Sequence, residues 1–218
     1  MTKVGSPHFI PAAGYGWLAP LYDPAQRWLL REGTIKQRLV AEATVAPGQR
    51  ALDLGCGTGT LGILLLRQYP HARVVGLDRD AGMLWRAQTK ARRAGTPMHL
   101  DQGTAVQLPY VDGGFDWVMA SLMLHHLLPA DQRQALREAF RVLRPGGQVL
   151  VADFGRPQTL PGHVAALLLR RFEEAADFLK GELPPLLHEA GFQEVREIDA
   201  YQTLFGTVAL YSGLKPEG

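Results

Sequence analysis

Short apolar runs alternate with helical patterns through the middle of the chain. The predicted strands are residues 50–54, 73–77, 98–101, 115–120 and 148–153. The predicted helices are residues 58–69, 80–94 and 130–143, and Pro145-Gly146 is expected to stop the last one. Strands that alternate with helices predict right-handed crossovers and a parallel sheet covered on both faces.

The pattern is different at both ends of the chain. Residues 1–23 are rich in Gly, Pro and aromatic residues and are expected to form an extended arm, and helical segments follow to about residue 44. After residue 154 the patterns predict helices at 161–180 and 183–190. The last two strand-like runs, 192–199 and 203–214, are so close that they require a hairpin with an antiparallel last strand.

These patterns predict one α/β domain with a doubly wound, mostly parallel sheet. Residues 1–45 are expected to form an arm and helices over the ligand site, and residues 46–153 the binding core. Residues 154–218 are expected to add substrate-side helices and the terminal hairpin. The length of 218 residues and the 46% hydrophobic composition suit a single ordered domain.

Composition narrows the classes of partner. A formal net charge of +2 argues against a nucleic-acid substrate. The single cysteine, Cys56, excludes a disulfide within the chain and a four-cysteine zinc site, and we expect no metal cofactor. No signal-peptide pattern or membrane-length apolar run is present, so a cytoplasmic protein without stable membrane insertion is expected.

The main chemical feature is the segment 51–60, in which an apolar strand ends in glycines and opens into a helix. Gly57, Gly59 and Gly62 spell G-x-G-x-x-G, and Asp78 lies 21 residues beyond Gly57. This spacing satisfies the dinucleotide fingerprint, so an NAD-dependent dehydrogenase is one hypothesis.

Two features of the same loop favour a different ligand. The glycines begin at Gly55, directly after the strand, so G-x-G-x-G is the better-placed pattern. Asp53 stands at the end of the strand, where its carboxylate would repel a pyrophosphate and attract a cationic amino acid or sulfonium.

This segment resembles the first motif of the class I S-adenosylmethionine-dependent methyltransferases. Further motifs of that family follow in order and cover most of residues 50–153. They are Gly76-Leu77-Asp78, Met83, Gln107-Leu108-Pro109-Tyr110, Gly114-Phe115-Asp116-Trp117-Val118, Leu124-His125-His126-Leu127 and Leu143-Arg144-Pro145-Gly146-Gly147. Within the family, the chain is similar to the small-molecule subgroup that includes ubiquinone and menaquinone C-methyltransferases. The resemblance implies S-adenosylmethionine as cofactor and a Rossmann-like, seven-stranded sheet.

The resemblance also implies roles for single residues. The loop glycines would lie against the methionine end of the cofactor, with Asp53 on its ammonium group or, as the plain alternative, capping a helix. Asp78 would accept hydrogen bonds from the ribose hydroxyls, and Met83 would cover the adenine or lie in the core. The expected cofactor-binding residues are Asp53, Gly55, Cys56, Gly57, Gly59, Asp78, Arg79, Met83, Thr104, Ala105 and Tyr22.

One position departs from the family pattern. The family often has Gly-Asp-Ala where this chain has Gly103-Thr104-Ala105. A threonine hydroxyl accepts a hydrogen bond more weakly than a carboxylate does. Recognition of the adenine amino group is therefore expected from Thr104, from backbone groups, or from Asp101 or Gln102.

Methyl transfer is an in-line displacement, in which positioning supplies much of the catalysis. A base is needed only if the acceptor carries a proton of high pKa. His125 is the candidate base and His126 its competitor; the plain alternative is a histidine packed in the loop. Tyr15 and Tyr22, in the arm, are candidates for contacts with the methionine carboxylate or the substrate.

The helix predicted at 161–180 is expected to pack on the domain by an apolar stripe. A more specific hypothesis is that this helix forms a lid over an apolar substrate. A homodimer face and a weak membrane contact rank below the lid. The sequence therefore predicts a methyltransferase for a small, apolar or aromatic acceptor, with oxygen, carbon and nitrogen all open as the atom methylated. The alternatives are the dehydrogenase and a non-catalytic cofactor-binding domain.

Overall fold

The computed structural model describes residues 32–155, 183–203 and 206–217. Its helices are α1 (Glu32–Glu42), α2 (Thr60–Gln68), α3 (Ala81–Arg93), α4 (Pro129–Val142) and α5 (Leu183–Glu189), with a 3-10 turn at Leu124–His126. Its strands are β1 (Arg50–Leu54), β2 (Arg73–Asp78), β3 (His99–Gln102), β4 (Phe115–Ser121), β5 (Leu143–Phe154), β6 (Gln193–Thr203) and β7 (Gly206–Leu214).

All seven strands form one sheet in the order β3-β2-β1-β4-β5-β7-β6. The first five strands in this order are parallel to their neighbours, and β7 runs antiparallel to both β5 and β6. The predicted doubly wound fold with an antiparallel last strand is confirmed. The strand order reverses between β1 and β4, and ligands bind at such a switch point beyond the carboxyl ends of the strands.

Two buried clusters cover the two faces of the sheet, because side chains alternate in direction along each strand. The cluster towards α4 and α5 includes Leu52, Val118, Leu136, Val149 and Leu187. The cluster towards α1 and α2 includes Ile35, Leu39, Ala51, Leu65, Met119 and Leu150. Burial on both faces explains why the central strands are apolar at almost every position.

The start of β5 differs from the prediction. We expected Pro145-Gly146 to stop the helix and a strand to begin at residue 148, but β5 begins at Leu143, directly after α4. The backbone of Lys215, beyond β7, bonds to this segment: Gly146 donates to the carbonyl of Lys215, and Lys215 donates to that of Gly147. This tertiary pairing extends the strand through a dipeptide that usually marks a turn.

Several predictions lie outside the described residues. They are the N-terminal arm with Tyr15 and Tyr22, and the helix at 161–180. Among the helices that the structure describes, none is long and apolar enough to cross a membrane.

Candidate active site

The glycine loop joins β1 to α2 at the carboxyl edge of the sheet. Gly57 has a φ of 53°, in the left-handed region that favours glycine, and an added Cβ there would meet nothing within 4 Å. Gly55 has a φ of 67°, and an added Cβ would lie 2.1 Å from Cγ of Met123. One glycine therefore presents its backbone to open space, and the other packs against the segment that follows β4.

Asp78, at the end of β2, holds this loop in place. One carboxylate oxygen accepts a hydrogen bond from the backbone N–H of Gly57 at 2.8 Å, and the other accepts from Asp80 at 2.9 Å. Asp80 in turn caps α3 by accepting from the backbone of Gly82 and Met83. The loop, the end of β2 and the start of α3 are therefore one hydrogen-bonded unit.

Asp53 lies behind the loop and is only 4% exposed. Its carboxylate accepts a hydrogen bond from the backbone N–H of Gly62, in the first turn of α2, at 3.0 Å. Burial raises the pKa of Asp53 to about 6, against the opposing charge of Lys36. Asp53 therefore makes the helix contact that was the alternative to cofactor binding. This contact also places a buried carboxylate beside the glycines.

Cys56 is buried within the loop, where its N–H donates to Leu77 and its carbonyl accepts from Gly59. Burial, with the nearby Asp53 and Asp78 carboxylates, raises the pKa of the Cys56 thiol well above its ordinary range. A thiol that stays protonated is a poor nucleophile, so Cys56 is suited to packing here.

The strand after α3 brings a second set of expected residues to the same edge. Thr104 is exposed, and its hydroxyl accepts a hydrogen bond from the backbone of Val106 at 3.4 Å; Ala105 is buried. Asp101 accepts from the Tyr110 hydroxyl at 3.0 Å and contacts Nε2 of His99 at 2.9 Å. Asp101 is therefore bound within the protein by both of its oxygens.

Two other expected residues flank this strand. The side chain of Gln102 donates to the backbone carbonyl of Arg79 at 3.1 Å, which ties β3 to the end of β2. The Arg79 side chain is exposed, and Met83 is half-buried in the first turns of α3. The predicted cofactor-binding residues that the structure describes therefore lie near the carboxyl ends of β1, β2 and β3.

His125 follows β4 in the 3-10 turn, and its Nδ1 lies 2.8 Å from Oδ1 of Asp153 at the end of β5. Asp153 is 2% exposed, and its carboxylate also accepts from the backbone of Leu124, His125 and Phe154. Burial alone would raise the pKa of Asp153. The charge and hydrogen bond of His125 and these backbone amides instead hold it below its ordinary value. Asp153 is thus a buried, ionised partner for the imidazole.

Sequence reasoning placed Asp153 in a strand and assigned it no role. The available signal was an acidic residue in the apolar run Val149-Leu150-Val151-Ala152, at the carboxyl end of a strand next to β4. In a parallel sheet this is the edge where polar side chains converge.

His126 has different surroundings. Its ring centroid lies 4.0 Å from that of His125, and part of the ring is exposed. Partial loss of solvation, together with the charge of His125, lowers the pKa of His126 to about 4. The ring of Phe154 meets His125 edge-on, with centroids 5.1 Å apart. Of the two candidate bases, His125 is the one that the structure pairs with a carboxylate.

Solved structures with the same fold have different activities. The YcgJ protein from Bacillus subtilis aligns with a TM-score of 0.69 at 19% identity, over 85% of this chain and 100% of that one. The S-adenosylmethionine-dependent methyltransferase SibL aligns with a TM-score of 0.69 at 24% identity, over 94% of this chain and 60% of that one. The [4+2]-cyclase SpnF aligns with a TM-score of 0.65 at 20% identity, over 85% of this chain and 81% of that one. At these identities the likeness shows the fold alone.

Sequence similarity identifies the family. A family model described as a methyltransferase domain matches residues 51–147. The demethylmenaquinone methyltransferase of Thermus thermophilus is 35% identical over 167 residues, which cover 75% of this chain and 74% of the relative. The ubiquinone/menaquinone biosynthesis C-methyltransferase of Syntrophotalea carbinolica is 31% identical over 221 residues, 91% of each.

These matches decide between the two cofactors that the glycine loop allowed, in favour of S-adenosylmethionine over a nicotinamide. The chain therefore belongs to the class I S-adenosylmethionine-dependent methyltransferases and resembles the ubiquinone and menaquinone C-methyltransferases among them.

Proposed function

We propose that this methyltransferase methylates a ring carbon of a small aromatic hydroquinone, with His125 as the general base. The observation that carries the proposal is the 2.8 Å contact between Nδ1 of His125 and the buried carboxylate of Asp153. The names of the relatives, which describe demethylmenaquinone and ubiquinone/menaquinone methylation, support this class of acceptor.

The carboxylate sets the chemistry of the imidazole. An ionised Asp153 only accepts hydrogen bonds, so Nδ1 of His125 carries the proton and Nε2 carries the lone pair. Nε2 is then the atom that takes a proton from the acceptor. The imidazolium formed in this step is stabilised by the charge of Asp153, as in other His–Asp pairs.

Deprotonation activates the ring. When His125 removes the proton of a hydroquinone hydroxyl, the electron density on the adjacent ring carbon rises. Bound S-adenosylmethionine would supply an electrophilic methyl group on a sulfonium, and the carbon–sulfur bond would break as the ring carbon bonds to that methyl. The ring carbon then loses its hydrogen as a proton, the oxygen regains one, and the net release is a single proton.

The loop geometry supports this cofactor. The open side of Gly57 lets a ligand approach the backbone closely, and the carboxylate of Asp78 stands beside it as a hydrogen-bond acceptor for ribose hydroxyls. We propose contacts with the cofactor from Asp53, Gly55, Cys56, Gly57, Gly59, Asp78, Arg79, Met83, Thr104, Ala105 and, beyond the described residues, Tyr22.

The surroundings of His125 support an apolar or aromatic acceptor. Met123 and Leu127, on either side of it in sequence, are half-buried and pack against the core. Phe154 adds an aromatic ring against the imidazole. Such a lining is typical of small-molecule sites, in which a few polar groups orient a mainly apolar ligand. In this proposal residues 1–45 and 154–218 complete a single domain around the core.

The test is an anaerobic assay with S-adenosylmethionine and a dithionite-reduced 1,4-naphthoquinone that carries a short prenyl chain and a ring hydrogen beside it. We expect mass spectrometry to show a C-methylated product from the hydroquinone and none from the oxidised quinone. His125→Asn keeps a donor for Asp153 and removes the base, and should lower kcat by about 10²- to 10⁴-fold. Methylation on oxygen, or unchanged turnover by His125→Asn, would refute the proposal.

A further inference from the structure

Met98 occupies a narrow space between α2 and the sheet, directly before β3. A Cβ added at Gly62, in the first turn of α2, would lie 2.6 Å from Cε of Met98 and 3.0 Å from its Sδ. A Cβ added at Gly76, in β2, would lie 2.7 Å from the same Cε. At Gly59, the last glycine of the loop, the distance to Sδ would be 3.5 Å. The thioether therefore lies against the backbone that joins the glycine loop to α2.

This contact accounts for the third glycine of the G-x-G-x-x-G spacing. In dinucleotide-binding proteins the third glycine allows a helix to pack closely on a strand. Here Gly62 leaves room for the methionine side chain, while its N–H donates to the carboxylate of Asp53. The position of the first turn of α2 therefore depends on the volume and polarity of Met98.

Met98 also borders solvent. The residue is half-buried and lines a cleft of about 420 Å³ at the amino ends of β2 and β3. Arg73 and His99, which are both exposed, line the same cleft. Met119 is different, because it is 1% exposed and lies within the cluster towards α1 and α2. A small oxidant therefore has a route to Met98 that it lacks to Met119.

An oxygen atom on the sulfur of Met98 would enter an unsuitable environment. The N–H of Gly59 already donates to the carbonyl of Cys56 at 2.8 Å, and that of Gly62 to Asp53 at 3.0 Å. Apolar side chains surround the same glycines, namely Val74, Ala87 and Leu100. Burying a polar oxygen without a donor costs free energy, and leaving the space would open a cavity behind the loop. Either outcome disturbs the start of α2.

We propose that Met98 is an oxidation site, through which a peroxide lowers the affinity of the glycine loop for S-adenosylmethionine. The sulfur forms a bond to one oxygen of hydrogen peroxide as the O–O bond breaks. The sulfur is oxidised to a sulfoxide, and the other oxygen leaves as water. Methionine sulfoxide reductases reverse this change. The effect on binding rests on the loop contacts proposed above, whereas the site of oxidation does not.

The test compares two proteins that differ only at Met98. Met83 and Met123 are also half-buried, so the first protein is Met83→Leu/Met123→Leu and the second adds Met98→Leu. Each is treated with hydrogen peroxide, which is then removed. Peptide mass spectrometry should find one added oxygen at Met98 before any at Met119. Calorimetry should show S-adenosylhomocysteine at least about tenfold weaker after treatment in the first protein, and changed by less than about twofold in the second.

Two reductants identify the oxidised residue. Methionine sulfoxide reductase should restore the affinity of the first protein, whereas dithiothreitol alone, which reverses oxidation of a cysteine such as Cys56, should not. Binding of S-adenosylhomocysteine before treatment tests the cofactor proposal separately. Equal losses in the two proteins, an unchanged affinity after peroxide, or recovery with dithiothreitol alone would overturn the inference. So would a loss that the reductase does not reverse. If the first protein does not fold, the wild type and Met98→Leu are compared in the same way.

Discussion

The carboxylate of Asp78, at the end of β2, accepts a hydrogen bond from the backbone N–H of Gly57 in the glycine loop at 2.8 Å. The same two residues made the chain look like a dinucleotide-binding protein, since they stand 21 positions apart. In the structure this spacing is the length of the α2 crossover from the end of β1 to the end of β2. Asp78 therefore clamps the loop before any ligand binds.

Replacing Asp78 should separate its clamping role from ribose binding. Asp78→Ala removes both backbone contacts and should lower the free energy of unfolding by about 1–3 kcal/mol. Asp78→Asn keeps one acceptor oxygen, so it should lose less stability. Both variants should bind S-adenosylhomocysteine at least about tenfold more weakly. Denaturant titration and calorimetry measure the two effects, and equal stability losses in Ala and Asn would contradict the clamp.

Asp53 should destabilise the folded protein at neutral pH. Its pKa is raised from 3.8 to about 6, so between these values the folded state binds more protons than the unfolded state. The contribution of this group to stability therefore falls as the pH rises through that window, and stays low above it. Asp53→Asn keeps an acceptor for Gly62 and should be more stable than the wild type at pH 7, but not at pH 3.

The same carboxylate should be needed for the cofactor. Asp53→Ala should bind S-adenosylmethionine at least about tenfold more weakly at pH 7. Urea titrations of wild type and Asp53→Asn over a pH series, with calorimetry at pH 7, give both results. A stability difference that does not vary with pH, or unchanged affinity in a folded variant, would contradict these roles.

The sequence predicts the parts of this fold that depend on neighbouring residues. β1 has the predicted bounds, because a turn at Pro47-Gly48 and the glycine loop enclose a short apolar run. Contacts between residues far apart in the sequence could not be predicted in this way. The start of β5 depends on Lys215, about 70 residues downstream, and the His125–Asp153 pair joins residues 28 apart. Lys36 is polar in the sequence and buried only because α1 packs on the sheet. Local pattern carries no information on such pairings.

Lys215 should stabilise the junction between α4 and β5. Its ammonium donates to the carbonyls of Phe140 and Leu143 at 2.8 and 2.7 Å, where the helix leaves carbonyls without helical partners. Lys215→Met keeps the aliphatic chain and removes these bonds, and should lower the free energy of unfolding by about 1–2 kcal/mol. Affinity for S-adenosylhomocysteine should not change. An unaltered denaturation midpoint would show that the contacts add nothing.

Asp153 is proposed as a positioning residue for the base, and its replacement should affect turnover rather than cofactor binding. In Asp153→Asn the amide can donate to Nδ1 of His125, which favours the wrong tautomer of the imidazole. We expect kcat to fall by about 10²- to 10⁴-fold.

A double-mutant cycle distinguishes this role from a structural one. If Asp153 acts through His125, the double variant His125→Asn/Asp153→Asn should turn over no more slowly than His125→Asn alone. A purely structural Asp153 would instead add its own loss to that of the histidine, and would weaken binding of S-adenosylhomocysteine as well. Because the carboxylate also accepts from three backbone N–H groups, the Tm of each variant must be measured beside its rate. Asp153→Asn lowers the rate in the wild type by one factor and in His125→Asn by another. The difference between these two losses measures how far Asp153 acts through the base.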